Sequence, residues 1–282
     1  MSRKALWAMA CIVLAAAASA RAEADPVADK ARDLARRYDK AIVHVEAVVK
    51  ITATGGGPVM RMPEQEQKVK VLGAVIDPSG LTVVPFLDPT AAMGSMKINA
   101  GGQAMELKFK GEIREVKTRL ADGTEVPGRL VLTDDDLSLA FVAPEKPLDA
   151  KTRAKIAHVD LSQAAAKASV LDKIITLGRL GKTLNHTPTV SIGRVTAVVT
   201  KPRTFYVGAG SLGSPVFTAD GKLLGICTRR ATKGQSRTIG LMSMLGGGGL
   251  GPMGGAPVVL PAADVKEIAD QAKGEMTGRK VE

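Results

Sequence analysis

The fold is decided by the stretch Tyr206-Val-Gly-Ala-Gly-Ser-Leu-Gly-Ser-Pro-Val-Phe217 and the segment that follows it, Thr218-Ala-Asp-Gly-Lys-Leu-Leu-Gly-Ile-Cys-Thr228. A glycine-rich turn and an Asp220-Gly221 turn alternate here with short apolar runs. Runs of this length between Gly, Ser, Asp and Pro are typical of short β-strands joined by tight turns. The stretch therefore predicts a sharply turned loop that leads into a β-hairpin.

The same pattern of short strands extends from Ala41 to about Leu260. It predicts a first strand at residues 41–51, in which His44 packs, and two hairpins whose turns are Asp77–Gly80 and Asp122-Gly123. Residues 54–67 and 92–111 are interpreted as loops, the second as an insertion rich in Met and Gly. Further strands are predicted at 170–178, 189–199, 239–244 and 257–261, and loops at 229–237 and 245–256. The sequence therefore predicts an all-β chain.

Helices are predicted only near the two ends of this β region. At residues 25–40, apolar residues recur at steps of three and four behind Pro26, which suits the first turn of a helix. Residues 262–273 show a second helical pattern. The N-terminal helix is expected to dock on the β region, because an apolar face made mostly of alanine would bind lipid weakly.

The first residues have the layout of a secretory signal peptide. Arg3 and Lys4 precede an apolar run over residues 5–20, and three overlapping small-x-small sites follow within residues 18–24. The alternative, a transmembrane anchor, needs a longer apolar run. We expect an exported protein, periplasmic or extracellular, that begins near residues 21–25. A leader ending at Ala22 would remove three basic residues and lower the formal charge from +11 to +8.

Composition narrows the classes of partner and cofactor. Only 3% of residues are aromatic, and no Lys/Arg run alternates with rings that could stack on bases, so nucleic acid is not an expected partner. No later segment has the pattern of a membrane span. We expect no cofactor and no metal site, because His186 has no Cys, Asp or Glu cluster beside it. Cys227 would be the only cysteine after removal of the leader, and its apolar strand predicts an inert, buried thiol.

The turn Gly210-Ser-Leu-Gly-Ser-Pro215 resembles the nucleophile turn of trypsin-like serine proteases, in particular the HtrA/Deg type. In that family a Gly-x-Ser-Gly-Gly-Pro turn presents the serine and directs backbone N–H groups at the oxyanion. Here Leu212 stands at the serine position. A hydrocarbon side chain has no lone pair with which to attack a carbonyl.

The two hairpins resemble the family segments that carry the other catalytic residues. When the turn at Asp77–Gly80 is matched, the family's histidine falls on Leu87. When Leu139-Ala140 is matched to the family's Leu-Ala, the triad aspartate falls on Ser138, while Asp134, Asp135 and Asp136 are interpreted as a solvated turn. The positions of the triad are therefore Leu87, Ser138 and Leu212, and we expect no catalytic residues, because base, acid and nucleophile act as one unit.

The resemblance covers about residues 41–272 and implies two packed antiparallel β-barrels of the chymotrypsin fold. The expected divisions are a signal peptide at 1–22, an N-terminal helix at 23–40, a first barrel at 41–148, a crossover at 149–168, and a second barrel with the terminal helix at 169–282. We expect no PDZ domain, which HtrA proteases usually append, in the residues that follow.

Three functions remain open from the sequence. The first is a pseudoprotease that binds a protein or peptide, with acidic ligands favoured, by strand addition. Its expected ligand-binding residues are Gly210, Ser211 and Leu212 in the vestigial oxyanion turn and Cys227, Thr228 and Arg229 in the strand that follows. The second is an active hydrolase that uses Ser211 or Ser214 with His186 or His158. The third is a basic envelope protein that binds anionic polymers.

Overall fold

The computed structural model describes residues 25–55, 64–85, 95–100, 103–163, 166–208, 210–230 and 256–276. The signal peptide, Leu87 and most of the Gly/Met-rich segment 245–256 therefore lie outside the described residues, as does the strand predicted at 239–244. Short 3-10 turns occur at 39–41, 161–163 and 182–184. In chain order the helices and strands are α1 Pro26–Tyr38, β1 Ile42–Gly55, β2 Gln65–Val75, β3 Thr82–Pro85, β4 Ser95–Ala100, β5 Gln103–Arg119, β6 Glu125–Asp134, β7 Leu139–Pro144, α2 Ala150–Arg153, β8 Lys173–Arg179, β9 Pro188–Val199, β10 Phe205–Gly208, β11 Pro215–Thr218, β12 Leu223–Arg230, β13 Ala256–Pro261 and α3 Ala262–Met276.

The strands form two closed antiparallel barrels. In the first, the order is β1-β2-β3-β7-β6-β5, and β5 pairs again with β1 to close the ring, while β4 adds to β5 outside it. In the second, the order is β10-β13-β12-β11-β8-β9, closed by β9 and β10. Closure removes free sheet edges over most of each ring. The expectation of an all-β chain with two packed barrels and short terminal helices is confirmed.

Apolar side chains fill each barrel and the space between the barrels. Val45, Val49 and Val142 belong to the interior of the first barrel, and Ile174, Val216 and Leu224 to that of the second. The largest cluster draws residues from both barrels and both terminal helices, including Ile42, Phe141, Leu177, Phe217, Leu34 and Val265. Because removal of apolar area from water is the main stabilising contribution to folding, this shared cluster joins the barrels into one unit.

The helix α1 begins at a cap that the sequence specifies. The Asp25 side chain accepts a hydrogen bond from the N–H of Val27 at 3.0 Å, and Pro26 occupies the first turn, where a missing N–H costs nothing. At the other end, the Tyr38 ring stacks on Phe217 of β11 with ring centroids 5.3 Å apart. The helix therefore docks on the β region, as predicted, and the structure shows that it contacts the second barrel.

The loop predicted at residues 92–111 is wrong, because these residues include β4 and the first part of β5. In their register Ile98 lies opposite Met105 and Ala100 opposite Gln103. In the sequence, Gly101 and Gly102 follow Ala100. A Gly-Gly pair between alternating apolar and polar residues is a hairpin sequence. The Met and Gly residues of this segment suggested a loop and so obscured the alternation of apolar and polar residues.

Two other loop boundaries were also wrong. The loop predicted at 54–67 is shorter, because β1 continues to Gly55 and β2 begins at Gln65. The first residues of β2 are polar and exposed, so they lack the apolar alternation that indicates a strand. Similarly, β12 continues to Arg230, into the predicted loop at 229–237.

Candidate functional site

The turn at residues 210–215 connects β10 to β11 and is tied to β12 by backbone hydrogen bonds. The N–H of Ser214 donates to the Ser211 carbonyl at 3.0 Å, which closes the turn. The N–H of Gly213 donates to the Cys227 carbonyl at 2.7 Å, and the N–H of Cys227 donates to the Ser214 carbonyl at 2.8 Å. The geometry of the turn is therefore fixed by β12.

Gly213 presses this turn against the first barrel. Its φ is +86°, in the region that favours glycine. A Cβ added there would lie 2.0 Å from the carbonyl oxygen of Leu72 in β2 and 3.0 Å from Cδ of Pro85. No side chain fits in that space, so the turn and the first barrel meet backbone to backbone.

Leu212, which the sequence motif aligned with the family's serine, belongs to the second barrel. It is half-buried and packs against the apolar cluster in that barrel's interior. Gly210 lies close to Cys227, because a Cβ on Gly210 would be 3.3 Å from the Cys227 Sγ. Burial raises the pKa of that thiol to about 11, so Cys227 is a buried thiol, as predicted, and not a thiolate nucleophile.

Ser138, which the sequence motif aligned with the family's aspartate, lies in the turn before β7 with φ of +52°. The Asp134 carboxylate accepts the N–H of Leu137 at 2.9 Å and so caps the start of this turn. The Thr228 hydroxyl is the donor to two carbonyl oxygens, that of Leu137 at 2.8 Å and that of Ser138 at 3.0 Å. Thr228 is fully buried.

Two of the three triad positions thus meet at β12, where Cys227 binds the turn that contains Leu212 and the neighbouring Thr228 binds Ser138. Leu87 itself is outside the described residues. Pro85, two residues before it, pairs with Leu139 directly after the Ser138 turn. The structure therefore brings the predicted segments together, with a hydrocarbon side chain at Leu212 and a hydroxyl in place of a carboxylate at Ser138.

The end of β12 offers one open strand edge. Cys227 uses its N–H and C=O on Ser214 and Gly213, so by antiparallel alternation Thr228 faces β13 and Arg229 faces away from it. On that open side, none of the described residues pairs with Arg229. Its opposite residue in β13 is Pro257, which has no N–H to donate. Of the three strand residues predicted for ligand binding, Arg229 alone presents a free donor and acceptor within the described chain.

The candidate displaced serines differ in burial and have no histidine bound to them within the described chain. Ser214 is fully buried and its Oγ has no hydrogen-bond partner among the described residues, whereas Ser211 is exposed. Within the described ranges, no hydrogen bond joins either serine to a histidine, and His186 instead contacts His44. A serine without a base has no means of losing its proton to become a nucleophile.

Sequence reasoning missed a polar junction between the barrels. The Arg179 side chain is 4% exposed and donates to the carbonyls of Ile42 at 2.9 Å, of His186 at 2.8 Å and of Asp39 at 2.7 Å. It also pairs with the Asp39 carboxylate at 2.6 Å. An arginine directly after an apolar strand was the only signal in the sequence, and long-range partners of this kind leave no local pattern.

His44 and His186 lie beside this arginine. His44 is 6% exposed, and its ring meets that of His186 edge to face at a centroid distance of 5.0 Å. Burial, together with Lys70 and His186, lowers the pKa of His44 to about 4. Burial and Lys70 also lower the pKa of His186. His44 is therefore a packed residue, as expected, but its partner was not foreseen.

The described residues contain no group of three or more His, Cys, Asp or Glu side chains placed to bind a metal ion. Among the helices that the structure describes, none is long and apolar enough to cross a membrane.

Part of the chain is similar to a known family of domains. Residues 104–226 match the family model for the trypsin-like peptidase domain. This range includes Ser138, the turn at 210–215 and the first half of β12. No curated protein matches the chain.

Proposed function

Since this chain carries a trypsin-like peptidase domain, we propose that it is an exported pseudoprotease that binds an extended peptide or protein segment without cleaving it. The observation that carries the proposal is the contrast between the two halves of the site. Leu212 and Ser138 cannot perform acyl transfer, while the strand edge at Arg229 can still pair with an extended chain.

Recognition would begin with backbone hydrogen bonds. The N–H and C=O of Arg229 face the open side of β12, and none of the described backbone hydrogen bonds uses the N–H of Gly210 or Leu212. A peptide strand placed beside Arg229 would therefore run toward the turn, where a carbonyl or terminal carboxylate could accept these N–H groups.

Charge would favour acidic ligands at this edge. Arg229 and Arg230 are half-buried, and the Arg230 guanidinium lies 4.6 Å from the centroid of the Phe205 ring. A guanidinium fixed on an aromatic ring loses less side-chain freedom when it binds a carboxylate. The positive formal charge, which is +11 for the full chain and 11 − 3 = +8 after loss of a leader with Arg3, Lys4 and Arg21, adds a long-range attraction for the same ligands.

Binding of an array of extended peptides, followed by fluorescence anisotropy of the best ligand, tests the proposal. Arg229→Pro removes the N–H that faces the peptide, in a position where proline is tolerated because that N–H does not pair with β13. We expect an affinity loss of about tenfold, equivalent to about 1.4 kcal/mol. Arg229→Gln keeps the backbone and should weaken only acidic peptides, while the exposed Arg129→Gln on β6 is the control.

Two results would overturn the proposal. One is labelling of Ser211 or Ser214 by a fluorophosphonate probe, which would show an active hydrolase. The other is salt-sensitive binding of anionic polymers, unchanged in Arg229→Pro, with no peptide ligand found. That result would support an envelope-binding role.

A further inference from the structure

The histidine pair at the junction of the barrels has no role in the proposed peptide binding. His44 lies on β1 of the first barrel, and His186 lies in the β8–β9 connection of the second, with its φ at +54°. We propose that His44 and His186 form an acid-sensitive contact between the barrels, which loosens when an imidazole is protonated and thereby displaces the turn at Gly213.

The neutral pair fits its surroundings better than a protonated pair. The Nδ1 atom of His186 is buried and has no hydrogen-bond partner among the described residues. A backbone hydrogen bond to Leu180 favours the protonated ring, but burial and the nearby cations Lys70 and Arg119 outweigh it and lower the pKa of His186. In a neutral imidazole this atom can carry a lone pair, but protonation places an N–H there. A buried donor without an acceptor costs the full free energy of its lost hydration, so protonation of His186 favours a conformation that admits water.

The charges that face the pair come from every neighbouring strand, and most are positive. Lys70 faces the pair from β2, Arg119 from β5 and Arg179 from β8, and these cations lower the pKa of one or both imidazoles. Glu46 of β1 is a carboxylate that raises the pKa of His44. The Glu46 carboxylate is already bound by Lys70 at 2.9 Å and by Arg119 at 3.4 Å. An added proton therefore meets repulsion that this carboxylate only partly offsets.

The remaining charges nearby are also engaged. Lys117 lies 3.8 Å from Glu46 and 2.8 Å from Glu125, and Glu125 also pairs with Arg119. Asp39 pairs with Arg179 at 2.6 Å. Neither Glu125 nor Asp39 is thus available to neutralise an imidazolium without giving up an existing cation.

A single residue separates the pair from the candidate site. His44 lies opposite Leu72 in the β1–β2 ladder, and the Leu72 carbonyl oxygen is the atom that packs against Gly213. On the second barrel, Gly178 lies close to Ser214 and to Leu72. A Cβ added to Gly178 would be 3.7 Å from the Ser214 Oγ and 3.9 Å from Cδ2 of Leu72. Movement of β1 and β2 away from His186 therefore moves the surface on which the turn rests.

The direction of the pH effect follows from the pKa values. Both imidazoles have a pKa below that of an ordinary histidine, so the unfolded chain binds protons more readily than the folded one. The contact is fully formed above about pH 6.5, the usual histidine value. It weakens as the pH falls toward the His44 value of about 4.

Proton titration of the full chain, followed by NMR of the three histidine rings, tests the pairing directly. We expect His44 and His186 to titrate below pH 6.5, and His186→Gln to raise the midpoint of His44 because one repulsive partner is lost. His158→Gln, in the crossover, is the matched control and should leave both midpoints unchanged. A His44 midpoint at or above pH 6.5, or one that is unaffected by His186→Gln, would overturn the proposal.

Hydrogen exchange tests the link to the turn. After correction for the intrinsic pH dependence, we expect exchange at the Gly213 amide to rise at least about tenfold between pH 7 and pH 5 in the wild type. The double variant His44→Gln/His186→Gln should show no such rise. An equal rise in both proteins refutes the link, as does a wild type that shows none. If the double variant does not fold, the wild-type titration and exchange decide the matter alone.

Discussion

Arg179→Met tests whether the polar junction stabilises the packing of the two barrels. The substitution keeps an unbranched apolar side chain of similar length but removes the guanidinium that binds Ile42, His186 and Asp39. Three carbonyl oxygens and one carboxylate then lose their donor, although the chain still fills most of the space.

The magnitude depends on which acceptors are shielded from water. The Asp39 side chain is 40% exposed, so water replaces much of its lost ion pair. Ile42 is 2% exposed, and its carbonyl is left without that donor, at a cost of about 1–3 kcal/mol. The carbonyls of His186 and Asp39 also lose a donor, and their contributions add only in part. We therefore expect the free energy of unfolding to fall by about 4 kcal/mol, within the range for breaking a buried charged contact.

Urea denaturation followed by far-ultraviolet circular dichroism measures this change, since the only tryptophan, Trp7, precedes the described residues. Arg179→Lys should recover little, because one ammonium cannot reach acceptors on three residues as a planar guanidinium does. The exposed Arg129→Met is the control and should change the free energy of unfolding by less than about 0.5 kcal/mol. A loss for Arg179→Met of less than about 1 kcal/mol would refute the reasoning, being ordinary for a surface site.

Four further predictions follow from the site and its surroundings. Gly213→Ala should cost at least about 4 kcal/mol by urea denaturation, because backbone must move, whereas Gly123→Ala, with φ of +85° and open space, should cost only about 1–2 kcal/mol of strain. Thr228→Val should lower the free energy of unfolding by about 1–2 kcal/mol in the same assay, because two carbonyl oxygens lose their hydroxyl donor, and Thr228→Ser should keep most of the wild-type stability. The free energy of unfolding should fall by about 3 kcal/mol from pH 6.5 to pH 4 through His44, whose pKa falls from 6.5 to about 4 on folding, and His44→Gln should remove this part of the slope. Leu212→Ser should gain no fluorophosphonate labelling, since no base is supplied, and should lose about 2 kcal/mol of packing; labelling would contradict the proposed pseudoprotease function.

Much of the fold follows from local sequence signals. The turns at Asp77–Gly80 and Asp122-Gly123 bring their own hydrogen bonds and so mark hairpins without any knowledge of the rest of the chain. The cap at Asp25 does the same for α1. Where composition masks alternation, as in β4 and the first part of β5, local interpretation fails because a strand is recognised by its period and not by its residue types.

The candidate site was predictable only where a motif marks it. The turn that contains Leu212 could be recognised, because its glycines and proline are tied to a backbone geometry. The contacts of Arg179 and the His44–His186 pair could not, because their partners lie on strands far apart in sequence. Thr228 belongs to the same class, since its hydroxyl meets the Ser138 turn only after both barrels have closed.

The contact between Gly213 and Leu72 affects how a glycine-rich nucleophile turn should be interpreted in any sequence. At this position glycine is demanded by the fit of two barrels, independently of whether a serine stands beside it. A search that scores the glycines of the turn therefore detects assembled barrels and not hydrolytic chemistry. Discrimination between enzymes and inert relatives must instead come from the residues whose side chains would carry the proton and the electron pair.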